Sequence, residues 1–279
     1  MSEINKEAVC SLCPHHCHIA EGRTGLCRGR GNHNGIIVCE NYGRLTALAL
    51  DPIEKKPLAR FYPGSRILSA GSYGCNLRCP FCQNHEISMA GKEIKTTSFP
   101  SELLIQQAIA AREMGNIGIA FTYNEPLISY EYIKDCAGLA RKAGLRVVLV
   151  TNGMICKEPL LELLPMIDAM NIDLKGFTKE FYEMVGGDFE TIKETIRLSA
   201  ASCHVEITTL IIPGLNDDER EIDALAAFLA GIREDIPLHV TRFFPNYKMT
   251  DRGPTPVDTV YHLRDVAAAR LKYVYTGNC

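Results

Sequence analysis

Residues 66–84 read RILSAGSYGCNLRCPFCQN, which is a short apolar strand, a turn and three closely spaced cysteines. Five further apolar stretches repeat this order of strand, loop and helix. The six candidate strands cover residues 66–69, 117–122, 146–151, 169–174, 204–212 and 237–244. Short apolar strands separated by helices indicate a parallel sheet buried on both faces, because each crossover lays a helix on the sheet. The predicted fold class is therefore α/β.

Helical patterns with recognisable ends lie between the strands. One apolar face precedes Gly144, which is expected to end its helix; the face consists of Tyr132, Cys136, Leu139 and Ala143. Another follows Thr255 and Pro256, which are expected to supply an N-cap and the first helical residue. Right-handed crossovers curl such a sheet into a barrel or a doubly wound sheet, and functional residues then lie where strands end.

The first 62 residues differ from the rest and are predicted to form a small cysteine-rich module, with the barrel-like core in residues 63–279. Four cysteines in this module have the spacing C-x2-C-x3-C-x9-C, namely Cys10, Cys13, Cys17 and Cys27. Four thiolates are a full ligand set for a structural zinc ion or for a closed auxiliary [4Fe-4S] cluster. The spacing does not distinguish between the two.

Composition excludes several classes of function. The 279 residues carry a net charge of -3 with no basic tail, so nucleic acid is not an expected partner. No uncharged apolar stretch reaches the roughly 18 residues that cross a bilayer, and the start lacks the apolar core of a secretory leader, so a cytoplasmic protein is expected. Twelve cysteines in a reducing compartment indicate metal ligation or redox chemistry rather than disulfides.

The cysteines after the first strand have the spacing C-x3-C-x2-C. Cys75, Cys79 and Cys82 can bind three irons of a [4Fe-4S] cluster and leave the fourth iron open for a substrate. A structural zinc ion is the alternative, but it requires a fourth ligand, for which His85 is the nearest candidate.

This run resembles the signature of the radical S-adenosylmethionine (SAM) superfamily, C-x3-C-x-aromatic-C at the end of a first barrel strand. The resemblance implies a partial (β/α)6 TIM-like barrel, a [4Fe-4S] cluster on the three cysteines, and Phe81 next to the adenine of SAM. Tyr123-Asn124-Glu125-Pro126 resembles the Gly-Glu-Pro segment of the superfamily, which implies that Asn124 and Glu125 contact SAM and that the acid receives its amino group. The alternative is that Glu125 only caps the next helix.

Two later strand ends resemble the enzymes that activate glycyl-radical proteins. Thr151 and Asn152 match part of an Asp-Thr-Asn-Gly run in which Val150 replaces the aspartate, and a plain turn would need Asn-Gly equally. Asp173 and Lys175 match an Asp-Leu-Lys run, which implies that the lysine reaches the SAM carboxylate. Alternation along the strand puts both polar side chains on one face. A surface ion pair is the alternative.

Two other charged residues lie on predicted strands. Glu206, on the fifth strand, is a candidate for positioning SAM or substrate. Arg242, on the sixth strand, is a candidate for pairing with a carboxylate in a bidentate manner. A buried ion pair explains either residue equally well.

Together the motifs resemble the radical SAM enzyme of the AmmeMemoRadiSam system over nearly the whole chain. That resemblance implies partners of the Memo and AMMECR types, a reductant such as flavodoxin or ferredoxin, and reductive cleavage of SAM to a 5'-deoxyadenosyl radical that abstracts hydrogen from an unidentified substrate. Two alternatives remain open. One is a glycyl-radical activase, and the other is an iron-sulfur binding or electron-transfer protein without catalysis.

Overall fold

An eight-stranded sheet forms the centre of the protein in the computed structural model, which describes residues 7–279. The first six residues of the predicted amino-terminal module lie outside the described part. The fourteen strands of the described chain are β1 Ala8–Val9, β2 His18–Ile19, β3 Arg30–His33, β4 Ile36–Cys39, β5 Arg44–Leu45, β6 Ala47–Pro52, β7 Arg66–Gly71, β8 Thr97–Ser98, β9 Asn116–Phe121, β10 Arg146–Thr151, β11 Ala169–Asp173, β12 His204–Ile211, β13 Leu238–Arg242 and β14 Val274–Gly277.

Helices connect the strands of the large sheet and cover its outer face. The α-helices of the described chain are α1 His85–Ser88, α2 Ser101–Ala110, α3 Tyr130–Lys142, α4 Lys157–Leu163, α5 Lys179–Val185, α6 Phe189–Ala200, α7 Glu219–Ile232 and α8 Val257–Ala268. Short 3-10 helices cover Ile53–Lys55, Ala111–Met114, Pro126–Ser129 and Leu164–Met166. Within residues 7–279, none of the helices combines the length and the apolar character needed to cross a membrane.

The sheet has the order β14-β13-β12-β11-β10-β9-β7-β6. Every pair from β7 to β14 is parallel, and β6 pairs antiparallel with β7 at one edge. Each strand therefore neighbours the next strand of the same sheet, with β8 lying outside it, as expected when helical crossovers repeat in one direction. The prediction of an α/β fold with a mostly parallel, partial TIM-like barrel is confirmed.

All six predicted strands occur, and β10 has the predicted bounds. Two edge strands were not among the six, namely β6, which comes from the amino-terminal region, and β14. Helix α3 ends as predicted, because Gly144 follows it in the left-handed conformation. The predicted start of α8 was wrong: Pro256 is the N-cap, and the Thr255 hydroxyl instead donates to the Ile211 carbonyl at 2.6 Å.

The interior of the barrel is filled from the loop between β6 and β7. Ile53, Leu58 and Phe61 of this loop are buried against apolar side chains of four strands, which are Ile67, Ala120, Val148 and Ala169. A second and larger apolar cluster lies between the sheet and the surrounding helices. Because the loop fills one region of the barrel, the carboxyl ends of the strands are left to form the functional site.

The amino-terminal region packs on the barrel next to the cysteine loop. Its hairpin β3–β4 turns at Asn34 and Gly35, both of which have positive φ. Arg30 of β3 forms a bidentate ion pair with Glu131 of α3. Asn41 donates to the Tyr73 carbonyl at 2.9 Å, close to the first cysteine of the loop.

Candidate active site

Three cysteines follow β7, at the carboxyl end of the first parallel strand. Gly74 precedes them with a φ of +87°, a conformation that suits glycine and allows the chain to turn into the loop. Burial raises the pKa of Cys75 well above its usual range, and the nearby Glu125 and Cys79 raise it further. Burial also raises the pKa of Cys79 to about 12, with Lys175 acting in the opposite direction and Cys82 in the same direction. Cys79 is buried and Cys75 and Cys82 are partly buried, so the three thiols lie in one largely enclosed environment.

Two nitrogen donors lie close to the sulfur of Cys75. The Leu77 amide lies 3.3 Å from Cys75 Sγ, and Asn152 Nδ2 lies 3.6 Å from the same sulfur. Donors of this kind adjust the potential of a cluster. The candidate fourth zinc ligand, His85, stacks on Tyr247 with ring centroids 4.5 Å apart and contacts a carbonyl through Nδ1. The Nδ1 contact leaves Nε2 of His85 as the ring nitrogen that a metal could bind.

Glu125 joins the ends of two neighbouring strands. It is 3% exposed and accepts hydrogen bonds from Thr151 Oγ1 at 2.6 Å, from the Asn152 amide at 2.7 Å and from the Leu127 amide at 2.9 Å. Burial raises the pKa of Glu125 to about 7, although these donors act against the increase. A carboxylate accepts about four hydrogen bonds, so one acceptor position is left for a ligand.

Glu125 also caps the short helix Pro126–Ser129. Both interpretations of this residue, capping and a place in the site, are therefore compatible with its contacts. Asn124 next to it is buried and fixes the cysteine loop, because its side-chain oxygen accepts from the Ser72 amide and its Nδ2 donates to the carbonyls of Tyr73 and Gly74.

Thr151 and Asn152 end β10 and are both buried. Besides donating to Glu125, Asn152 donates from Nδ2 to Asn76 Oδ1 at 2.9 Å. Asn76 lies directly after Cys75, so the end of β10 is bound to the cysteine loop. Residues 151–153 therefore form both the turn at Gly153 and the contact with the cysteine loop.

Asp173 is the last residue of β11, and Lys175 lies two positions after it on the same side of the chain. Lys175 Nζ lies 2.7 Å from Asp173 Oδ2, and both side chains are partly exposed. Burial acts to lower the pKa of Lys175, but Asp173 and the Cys79 thiol raise it by more, so this lysine stays charged. A cation next to the thiols and open to a ligand suits an anionic group such as a carboxylate.

Phe81 is 6% exposed and packs 6.2 Å from Phe181 of α5, measured between ring centroids. Its place next to an adenine stays a prediction. Of two other charged candidates, the structure encloses Glu206 and leaves Arg242 at the carboxyl end of β13. Glu206 is fully buried and contacts His204, His239 and two backbone amides of the loop before β7. Arg242 donates to the Thr255 carbonyl and lies over Phe244.

Sequence reasoning missed three residues that organise the site. Asn76 is 1% exposed and bridges the cysteine loop to the Met154 carbonyl and to Asn152. Asn216 donates from Nδ2 to the Lys175 carbonyl at 3.0 Å, and the Tyr182 hydroxyl accepts from the Lys175 amide at 3.2 Å. The position of Asn76 between Cys75 and Cys79 was a signal available in the sequence. No such signal marked Tyr182, because an aromatic residue in a helix usually packs in the core.

The four amino-terminal cysteines line one cavity. Burial raises the pKa of Cys13 to about 12 and also raises that of Cys27, and each is raised further by neighbouring thiols of the set. His15 and Asn76 line the same cavity, and His15 Nε2 lies 2.7 Å from the Asn76 carbonyl. The structure therefore places this set immediately next to the cysteine loop of the barrel.

Comparisons with known proteins concern the family and the fold of the chain. Residues 70–226, more than half of the chain, match the family model described as Radical SAM superfamily. The chain is 42% identical over 276 residues to the protein MJ0808 of Methanocaldococcus jannaschii, which covers 96% of this chain and 80% of that protein. It is 26% identical over 172 residues to the pyruvate formate-lyase 1-activating enzyme of Escherichia coli, covering 60% of this chain and 69% of that enzyme.

Among solved structures, SuiB of Streptococcus suis superposes with a TM-score of 0.61 at 13% identity, covering 81% of this chain and 52% of that chain. Likeness at this identity concerns the fold alone.

Proposed function

Because this chain belongs to the Radical SAM superfamily, we propose that it is a radical SAM enzyme acting on an unidentified substrate, with its cluster on Cys75, Cys79 and Cys82. When bound, the [4Fe-4S] cluster and SAM supply one-electron cleavage of SAM to a 5'-deoxyadenosyl radical, which takes a hydrogen atom from the substrate. Other residues of the chain bind SAM, orient it and exclude water.

One observation carries the proposal. The carboxyl ends of four consecutive strands bring the three thiols together with Glu125, Asn152 and Lys175, although these residues are up to 100 positions apart in sequence. In parallel barrels this end of the strands is where catalytic groups gather. A purely structural set of contacts would not require a charged lysine next to buried thiols.

The SAM-binding roles follow from charge and position. Lys175, held by Asp173, is proposed to bind the SAM carboxylate. Glu125 and the neighbouring Asn124 are proposed to receive the amino group, for which Glu125 has one acceptor position left. Thr151 and Asn152 hold Glu125 in place, and Phe81 supplies an apolar surface for the adenine.

Residues 1–62 are proposed to form a cysteine-rich module that binds metal at Cys10, Cys13, Cys17 and Cys27, and residues 63–279 are proposed to form the catalytic barrel, to which the end of the module contributes β6 and the loop that fills the interior. This division is supported by the shared cavity of the four cysteines. A flavodoxin or ferredoxin is the proposed reductant. Partners of the Memo and AMMECR types are proposed from the sequence motifs.

The test is formation of 5'-deoxyadenosine. The protein is reconstituted anaerobically with iron and sulfide, reduced with dithionite and given SAM, next to a Cys75→Ala, Cys79→Ala, Cys82→Ala variant. Product from the wild type alone is expected. A wild type that carries its full [4Fe-4S] complement but forms no product would favour the non-catalytic binding or electron-transfer function.

A second candidate is a glycyl-radical activase, which is supported by the similarity to the pyruvate formate-lyase 1-activating enzyme. In this case the substrate is a glycine residue of a partner protein. Electron paramagnetic resonance of a mixture with pyruvate formate-lyase would show a glycyl radical that depends on SAM. With an active enzyme and no such radical, pyruvate formate-lyase is excluded as the partner.

A further inference from the structure

We propose that Cys10, Cys13, Cys17 and Cys27 hold a second [4Fe-4S] cluster, and that Asn76 and Asn152 connect it electronically to the cluster on Cys75, Cys79 and Cys82. The inference rests on the proposed function for the cluster in the barrel. It assigns the amino-terminal set to electron transfer instead of to a structural zinc ion.

The arrangement of the thiols favours a cluster over a single ion. A zinc ion needs all of its ligand sulfurs at about 2.3 Å from one centre. Among residues 7–279, no three Cys, His, Asp or Glu side chains converge in a way that suits one metal ion, yet the four cysteines line one common cavity. A four-iron cluster takes one thiolate per iron, so its ligands stand apart around a shared space. Among the described residues, the three cysteines of the barrel form no single-ion group either.

A buried cation next to the cavity supplies an independent argument. Arg30 is 7% exposed and lines the cavity, and its Nε has no hydrogen-bond partner among the described residues. The thiol of Cys10 lies close enough to act on the charge of Arg30. A four-thiolate cluster carries net negative charge, which a buried guanidinium stabilises. Glu131 is on the other side of Arg30 and holds its two terminal nitrogens.

Two asparagines connect the two cysteine sets. Asn76 lines the cavity of the amino-terminal cysteines and lies next to Cys75 in the chain. Asn152 donates to Asn76 Oδ1 at 2.9 Å and approaches Cys75 Sγ at 3.6 Å. A side chain at Gly74 would meet the Cys27 carbonyl at 2.4 Å, so the two sets are packed directly against each other. A path of contacts therefore runs from the cavity of the amino-terminal cysteines through Asn76 and Asn152 to Cys75.

The connection suits transfer of one electron at a time. A low-potential protein reductant such as a flavodoxin or ferredoxin reduces the amino-terminal cluster from the 2+ to the 1+ state. The same electron then reduces the barrel cluster from 2+ to 1+, which returns the first cluster to 2+. No bond is formed or broken and no proton is transferred in these two steps.

The experiment is metal analysis and electron paramagnetic resonance of the anaerobically reconstituted chain. We expect eight irons and no zinc per wild-type chain, and four irons in the Cys75→Ala, Cys79→Ala, Cys82→Ala variant, whatever the fate of SAM cleavage. A Cys10→Ala, Cys13→Ala variant should also keep four irons, and Cys203→Ala, outside both sets, should keep eight. One zinc and four irons in the wild type, or four irons alone, would overturn the inference.

The spectrum of the fully reduced protein tests the connection. Two reduced clusters in contact broaden each other's signals, so the wild-type spectrum should differ from the sum of the two variant spectra. A spectrum equal to that sum would refute electronic contact even with eight irons bound. Arg30→Gln should shift the midpoint potential of the amino-terminal cluster to more negative values, with the iron content unchanged. An unshifted potential would show that Arg30 does not stabilise the amino-terminal cluster.

Discussion

Lys175 is the residue proposed to bind the SAM carboxylate. Its ammonium is fixed by Asp173 at 2.7 Å and remains charged next to the thiol of Cys79. Lys175→Met removes this cation but keeps a chain of similar length. A hydrogen bond to a charged group contributes about 1.5–3 kcal/mol, so the Kd for SAM should rise about tenfold or more. Equilibrium dialysis of the reconstituted protein measures this change.

Lys179→Met is the matched control. Lys179 is 77% exposed and pairs with Glu183 on the same helix, so its loss should leave the Kd for SAM unchanged. Iron content must be equal in wild type and both variants. If Lys175→Met binds SAM as tightly as the wild type, Lys175 and Asp173 form only a surface ion pair.

The lowered pKa of Glu206 predicts how the free energy of unfolding depends on pH. Its carboxylate is fully buried, and although burial acts to raise its pKa, His204, His239 and two backbone amides lower the pKa of Glu206 to about 2. Because the folded pKa lies below the usual value, the charged form stabilises the fold above about pH 4.5, and this contribution is lost as pH falls towards 2.

Glu206→Gln should therefore lower the free energy of unfolding at pH 7 by about 3 kcal/mol, and the difference from wild type should shrink between pH 4.5 and 2. Urea unfolding at a series of pH values gives both quantities. Glu113→Gln is the control, because Glu113 is exposed. A difference that stays constant from pH 7 to pH 2 would show that the charge of Glu206 is not the cause.

The turn after β10 shows how the backbone conformation between two elements holds the site in place. Gly153 has a φ of +71°, and a Cβ there would meet Ile192 Cδ1 at 2.4 Å and Ile172 Cγ2 at 3.1 Å. Gly153→Ala should thus lower the free energy of unfolding by about 2–4 kcal/mol, through left-handed strain and overpacking. Urea unfolding at pH 7 measures this loss of stability.

A helical glycine provides the comparison. Gly138 lies within α3, and a Cβ added there would contact nothing within 4 Å. Gly138→Ala should raise the free energy of unfolding by about 0.5–1 kcal/mol, because alanine loses less conformational freedom in a helix. If the two variants changed stability equally, the special geometry of the Asn152-Gly153 turn would not matter.

Much of the element order was predictable because each strand of the parallel sheet is a short apolar run followed by a polar residue at its end. Val147, Val148 and Leu149 make β10 unmistakable, and Thr151 and Asn152 mark where it stops. The edge strand β14 has four partly buried residues and little apolar contrast, so its sequence gives no comparable signal. Thr255 was misassigned because its hydroxyl bonds to a strand instead of capping α8.

Residue roles were less predictable than elements, because they depend on long-range contacts. Alternation correctly paired Asp173 with Lys175, which are two positions apart. Alternation could not assign a role to a lone carboxylate: Glu125 follows the carboxyl end of β9, whereas Glu206 lies near the amino end of β12 and is enclosed by the loop that fills the barrel. That loop is folded back from a part of the sequence nearly 150 positions away, and no local pattern reports it.

At the scale of the whole molecule, the amino-terminal region and the barrel are interlocked. Strand β6 adds to the large sheet, Arg30 is paired with Glu131, and the Cys156 amide donates to the Leu12 carbonyl at 2.9 Å. Opening the region would break these contacts and expose buried cysteines to water. We therefore expect the two parts to unfold in one cooperative step, even though their sequences look like separate modules.

Hydrogen exchange on the anaerobically reconstituted protein tests this expectation. Amides of the β3–β4 hairpin should open with the same free energy as those of β10 and β11, and both should fall in parallel as urea is added, because they report the same global unfolding. Exposed amides in α5 give the reference for local opening. If the hairpin instead exchanged at low free energy and without dependence on urea, it would open by itself. The contacts through Arg30 and Leu12 would then be too weak to hold the cysteine-rich region against the barrel.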